Sequence, residues 1–474
     1  MKEINWKSEV EKRQESLLHD LQSLIAIPSV LDEEHASPAA PLGEGVKAAL
    51  DFMLDLGEKD GFIGKNIDNL AGHLEFGSGE ELIGVLCHVD VVPEGDGWTV
   101  EPFGGEIRDD KIFGRGAIDD KGPTMAAYYA MKIIKELDLP LHKRVRMIIG
   151  TDEESNWRCV DRYFEKEEMP SVGFAPDADF PIIYAEKGIA DFDIIQKLDE
   201  PIKRCAADVI VHSFESGRRY NMVPDYAKAA VTVNRGQTEI LQSYKAFIDK
   251  NRLTGQFHID NGQLILELKG VSAHGMEPDL GKNAGLYLAK FLAERQLDEK
   301  AARFLQWTSE CLFEESRGQK LGVAYNDDIT GDLTINVGKL SFTEEAGGRL
   351  GINMRYPVTF PLEEKKAALT VKLAEEKFQI DNFSDSPPHH VDKDHPFIQT
   401  LSKVYEEQTG EKAELLSIGG GTYARSLKTG VAFGALFPER EDVAHQKHEY
   451  MFIEDLLKAT AIYAQAIWEL AGKK

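Results

Sequence analysis

The chain has 474 residues, with 55 Lys and Arg against 81 Asp and Glu and a formal charge of −26 at pH 7. That length exceeds one ordinary hydrophobic core, so at least two domains are expected, and 42% hydrophobic residues suffice to fill them. The acidic excess repels phosphate backbones and anionic lipid, which argues against nucleic-acid and membrane-surface binding, and no run approaches the roughly 20 apolar residues of a membrane span.

Residues 10–25 carry Val10, Leu17, Leu18, Leu21, Leu24 and Ile25 at helical spacing, with Pro28 as the stop. Charges run through residues 1–28, unlike a signal peptide. Cys87, Cys159, Cys205 and Cys311 form no CxxC pair, so neither a disulfide framework nor a zinc knuckle is indicated. A cytoplasmic location is expected.

A loop (28–41) and a helix through Val46, Leu50, Met53 and Leu54 lead to residues 82–87, an apolar run of strand length whose polarity changes at His88. Residues 122–137 read as a helix, 145–150 as a strand, 159–165 as a helix, and 172–175 and 182–185 as strands. Strands spaced by helices imply an α/β fold, a mixed, largely parallel sheet covered by helices. Strands at 190–195, 208–214 and 226–233, a helix at 239–250 and a hairpin at 256–268 follow; then come helices at 283–295 and 300–313, a strand pair at 333–342 and 351–356, and a helix at 362–378. This region is expected to be an inserted α+β lid of two ferredoxin-like halves. Residues 381–396 have linker composition; beyond them come a helix (397–409), a strand (413–417), the turn Gly419-Gly420-Gly421-Thr422, a strand (431–437) and a helix (453–470). The expected domains are 1–187 plus 383–474, and 188–382.

The ionisable residues fall where strands end. His88 and Asp90 follow one strand, Thr151-Asp152-Glu153-Glu154 another, Asp177 a third, and Asp119-Asp120 precede a helix. In open α/β sheets such positions converge on a ligand. Asp90 is placed to fix the tautomer of His88. Glu153 and Glu154 would repel each other unless a cation or proton intervenes, and one can coordinate while the other moves a proton. His445 and His448 add candidate nitrogen donors, each with a surface histidine as the alternative. There is no H-E-x-x-H and no G-x-S-x-G, which excludes the helical single-zinc protease pattern and disfavours a serine hydrolase. Nitrogen and oxygen donors in about five segments suit two divalent cations sharing a carboxylate, zinc first, with manganese or cobalt as alternatives.

Five motifs resemble the co-catalytic di-metal peptidases that include aminoacylase, glutamate-releasing carboxypeptidases and carnosinase, above all the bacterial PepV-type dipeptidases. They are Cys87-His88-Val89-Asp90-Val91-Val92-Pro93, Gly114-Arg115-Gly116 through Asp119-Asp120-Lys121-Gly122, Thr151-Asp152-Glu153-Glu154-Ser155, Pro176-Asp177-Ala178-Asp179-Phe180-Pro181 and His445-Gln446-Lys447-His448-Glu449. The resemblance implies that His88 and Asp177 bind one metal, Glu154 and His445 the other, and Asp119 both. Asp90 would orient His88, Glu153 would be the general base, and the peptide bond after Asp119 would be cis. His448 stands where that family commonly has Asn, which leaves an exchange of ligand between His445 and His448 open. In the insertion, His274 resembles the histidine that reaches the carbonyl oxygen, and Asn221, Arg355, Gly420, Gly421 and Thr422 match substrate-binding positions. The implied activity is metal-dependent hydrolysis of dipeptides and other short unblocked peptides. An N-acyl amino acid deacylase with the same centre is the alternative, and a non-catalytic peptide-binding protein the other class. Dimeric relatives carry one α+β unit in the lid; this insertion is long enough for two, so a monomer is expected.

Overall fold

The computed structural model describes residues 4–198 and 207–472; Cys205 lies outside them. By contact density the chain divides into two compact units, 1–185 with 390–417 and 422–474, and 186–389 with 418–421.

The first unit is built on a mixed sheet. Its centre is Leu82–His88, buried at every position, paired in parallel with Arg144–Gly150 on one side and Val172–Ala175 on the other. Gly430–Ala432 extends the parallel run, while Ala71–Gly77, Ile63–Ile67 and Ile182–Glu186 add antiparallel neighbours. The order from one edge is Ile63–Ile67, Ala71–Gly77, Arg144–Gly150, Leu82–His88, Val172–Ala175, Gly430–Ala432, Ile182–Glu186 and His389–His390. Lys121–Glu136 packs against Gln14–Ile25 and Ile453–Ala471, and its Met125, Tyr128, Tyr129, Ile133 and Ile134 enter the core. Parallel register sets His88 opposite Gly150, so the loops after both strands leave the sheet side by side.

The second unit carries an eight-stranded antiparallel sheet, ordered Thr254–Asp260, Gln263–Lys269, Tyr226–Val233, Val209–Ser216, Thr334–Thr343, Gly347–Tyr356, Gly188–Gln196, Phe378–Ser386. Gly188–Gln196, helix Glu299–Leu312, Thr334–Thr343, Gly347–Tyr356, helix Leu362–Glu375 and Phe378–Ser386 form a βαββαβ half with the 4-1-3-2 strand order of a ferredoxin-like fold. The other half is inserted after the first strand of this one and is circularly permuted: Val209–Ser216, Tyr226–Val233, helix Gln237–Asn251, Thr254–Asp260, Gln263–Lys269 and helix Ala284–Ala293. The halves join edge to edge through Val209–Ser216 and Thr334–Thr343.

The structure corrects several sequence expectations. The N-terminal helix is two, Trp6–Glu11 and Gln14–Ile25. Ile63–Ile67 and Ala71–Gly77 are strands that periodicity misses. The first is a largely exposed edge strand, and the second holds two glycines after a turn with positive φ at Asp68 and Asn69. The helix expected to reach residue 378 stops at Glu375. Much of the expected linker is strand Phe378–Ser386, whose Asp, Asn and Ser face solvent along a sheet edge. The strand expected at 431–437 is two short ones, Gly430–Ala432 and Ala435–Leu436.

Candidate metal centre

Six side chains of the first unit form two donor groups, His88 with Glu153 and Asp177, and Asp119 with Glu154 and His445; within each, one donor atom per residue lies within 4.8 Å of the others. His88 closes the central strand. Its N–H donates to Asp120 Oδ2 at 3.1 Å, and Thr124 Oγ1 donates to both the His88 carbonyl and Asp120 Oδ2 at 3.0 Å. Asp120 thus ties the strand end to the helix behind it rather than capping that helix with its side chain.

The His88 ring lies against Asp90 mainly through the main chain: Nδ1 is 3.0 Å from the Asp90 carbonyl oxygen and 3.4 Å from Asp90 Oδ1. The carboxylate's other oxygen accepts from the Glu154 N–H at 3.1 Å, so Asp90 links the loop after His88 to the one that carries Glu154. His88 Nε2 then faces Asp119 Oδ1 at 3.2 Å and Asp177 Oδ1 at 3.6 Å. Asp119 faces both ways, since its Oδ2 lies 2.9 Å from His445 Nε2, which also meets Glu154 at 3.0 Å. The peptide bond after Asp119 is cis.

The electrostatics fit a cation site. Burial, with Asp177 adding to it, pushes the Glu153 carboxyl upward, and burial likewise raises Glu154 and Asp177. Burial also opposes the charged forms of Asp119 and His88. A hydrogen bond with His445 and the nearby His88 imidazole nevertheless hold Asp119 low, and the carboxylates of Asp177 and Asp119 raise His88. His445 rises to about 11 through its hydrogen bonds to Asp119 and Glu154. Such crowding of carboxylates around two imidazoles favours positive charge at their centre. His88 Nε2 and Asp90 Oδ1 are moreover buried without a hydrogen-bond partner, and a donor set of imidazole nitrogen and carboxylate oxygen suits a divalent metal ion.

His448 lies elsewhere: among the described residues it belongs to neither group, and its ring meets the edge of Trp98 with centroids 5.6 Å apart. The remaining expected residues belong to the second unit, except Thr422, whose Oγ1 accepts from the Ala424 N–H. Arg355 is buried, its Nε donating to Asn353 Oδ1 at 2.8 Å and its Nη1 to the Gly419 carbonyl at 3.3 Å, beside Gly420 and Gly421. Asn221 accepts the Gly275 N–H at 2.7 Å, next to His274. His274 Nδ1 accepts the Met276 N–H at 3.2 Å, which leaves the proton of the neutral ring on Nε2.

The chain has relatives among known proteins. Residues 84–469 match the profile of "Peptidase family M20/M25/M40". The chain belongs to this family. It is 55% identical over 468 residues, 99% of this chain and 100% of the relative, to the Bacillus subtilis (strain 168) protein named "Putative dipeptidase YtjP". A Staphylococcus epidermidis (strain ATCC 12228 / FDA PCI 1200) protein named "Putative dipeptidase" is 47% identical over 98% of this chain and 99% of its own. The fold resembles that of the Vibrio alginolyticus aminoacylhistidine dipeptidase, with a TM-score of 0.59 at 13% identity over 97% of both chains. Human carnosine dipeptidase 1 gives 0.54 at 15% identity over 98% of both. As a member of the M20/M25/M40 peptidases, the protein is a hydrolytic enzyme.

Sequence reasoning missed the supports of this centre. Asp152 is buried and pinned by Arg158, whose Nε donates to Oδ2 at 2.7 Å, so the acidic run beside it keeps its shape. Tyr423 is buried with its ring edge-on to His88 at 5.8 Å and its hydroxyl 3.1 Å from Cys159 Sγ. Asp152 stands inside a quoted motif with no role assigned to it, and Tyr423 directly follows the glycine turn. Arg115 and Glu449 do stand inside quoted motifs, and their part is taken up below.

Proposed function

We propose that this peptidase hydrolyses dipeptides and other short peptides with a free amino terminus at a two-cation centre. The carrying observation is Asp119, one carboxylate oxygen toward each donor group. His88 and Asp177 would hold one divalent ion, Glu154 and His445 the other, with Asp119 common to both; zinc is proposed first, manganese or cobalt as alternatives. Bound there, such ions bring the pKa of water to near 7 and polarise a carbonyl.

The chain's own residues do the rest. Glu153, buried and with its proton affinity raised, takes the proton of the attacking water and passes it to the leaving amine nitrogen. Asp90 holds the His88 ring. His274 is assigned to the carbonyl oxygen, a role supported by its tautomer, which offers Nε2–H as a donor. Arg355, Asn221, Gly420, Gly421 and Thr422 are assigned to the substrate's free carboxylate. The Arg355 guanidinium meets the Gly419 main chain, so a fork of N–H donors lies beside the glycine turn. The names borne by the 55% and 47% identical relatives support a dipeptide substrate.

Among the described residues no helix is long and apolar enough to cross a membrane, and Cys87, Cys159 and Cys311 are free thiols, which supports a cytoplasmic enzyme. The edge-to-edge pairing of two halves within one chain supports a monomer. The test compares a dipeptide with its N-acetylated form, with and without chelator. Release of free amino acids from the unblocked dipeptide alone, abolished by chelator, is expected. Preference for the acetylated compound would make the enzyme a deacylase, and peptide binding without cleavage would remove the hydrolytic assignment.

A further inference from the structure

Arg115 and Glu449 belong to neither donor group, yet they join the loops that carry one of them. Their side chains are 2% and 0% exposed, and Arg115 Nη1 donates to Glu449 Oε2 at 2.6 Å. Glu449 Oε1 accepts the N–H groups of Ile118 at 3.0 Å and Asp119 at 3.2 Å. The guanidinium also donates to the carbonyls of Gln446 at 3.3 Å, His445 at 3.4 Å, Pro93 at 3.4 Å and Glu94 at 3.2 Å. The pair therefore grips the main chain of Asp119, assigned above to both cations, and of His445, assigned to the second alone.

His445 has no comparable anchorage of its own. It sits in a loop at φ +60° with a side chain about half exposed, 52%, so its position depends on the main chain beneath it. Burying an ion pair costs desolvation that apolar packing would avoid. A pair kept there, with its remaining hydrogen bonds spent on ligand-bearing loops, acts on geometry.

We propose that Arg115 and Glu449 are a positioning pair that fixes the separation of Asp119 and His445, and thereby selectively sets the affinity of the cation held by Asp119, Glu154 and His445. This rests on the two-cation reading above. The conservative variants are Arg115→Lys, which keeps the charge but not the fork, and Glu449→Gln, which keeps an acceptor for the two N–H groups but not the charge.

Chelator-stripped full-length protein is titrated with Mn2+, the free ion being followed by electron paramagnetic resonance. Wild type is expected to take up two ions. Each variant is expected to weaken the site that includes His445 about 10- to 100-fold, the range for removing an outer partner of a ligand, and the other, which shares only Asp119, by less. The double variant should lose no more than the worse single one, because both act through one contact. Near-UV circular dichroism of the stripped proteins checks the fold; if Glu449→Gln fails it, Arg115→Lys decides. Two unaltered sites in the folded variants, or two sites weakened alike, overturn the proposal while leaving the metal centre standing. Fewer than two ions on wild type overturn the two-cation reading itself.

Discussion

The two donor groups reach similar chemistry by different routes. His88 is wholly buried, set by sheet register, by its own N–H on Asp120 and by the Asp90 carbonyl under its ring. His445 is half exposed on a loop, and the buried hydrogen bonds that reach its carbonyl and that of Gln446 come from Arg115, distant in sequence. A donor at the end of a central strand inherits its position from the ladder. A donor on a loop must be given one by contacts that the ladder does not supply.

The comparison can be broken or sharpened in four ways. Removing chemistry while keeping the five proposed ligands should have the largest effect: Glu153→Ala is expected to lower kcat on a dipeptide by about 10²- to 10⁴-fold with metal content unchanged, measured by steady-state kinetics and elemental analysis. Next comes the contrast itself. In stripped protein, His88→Ala leaves buried carboxylates without a partner and should cost about 3–5 kcal/mol in urea unfolding, whereas His445→Ala, at a half-exposed position that water can fill, should cost about 1–2 kcal/mol. Equal costs would erase the distinction between ladder and loop.

Third, a Cβ added at Gly150, opposite His88, would lie 1.8 Å from the Tyr423 hydroxyl, so Gly150→Ala should destabilise by about 1–3 kcal/mol through overpacking at the strand-borne group, seen as a lower urea midpoint. The smallest effect concerns His73, on the strand paired with Arg144–Gly150. Burial, aided by Arg146, lowers its pKa to about 4. Its folded value lies below the unfolded one of about 6.5, so the stability it contributes is full above that value and is lost as the pH falls toward 4. Unfolding free energy should therefore drop by about 1 kcal/mol between roughly pH 7.5 and 5.5 on this account, and His73→Asn should flatten that part of the profile.

The same contrast explains what could be read in advance. His88, Glu153, Glu154 and Asp177 were visible because an apolar run turns polar where a strand ends, a signal carried by neighbours in sequence. His445 has no such signal; its motif resemblance singled it out, and the residues alone left a surface histidine equally open. Arg115 and Glu449 lay in plain view inside motifs, but their bond joins positions 334 residues apart, beyond any window of periodicity. In the fold, long buried elements such as Lys121–Glu136 announced themselves, whereas the edge strands Ile63–Ile67 and Phe378–Ser386 hid because half-solvated edges read as loops.

The permuted half of the second unit begins and finishes at one place: the N–H groups of Asp208 and Val209 both donate to the Gln296 carbonyl, at 3.0 and 3.1 Å, and Val209 bridges to Leu297. A module whose two ends are clasped together can be spliced in or out of its host without rethreading any other strand.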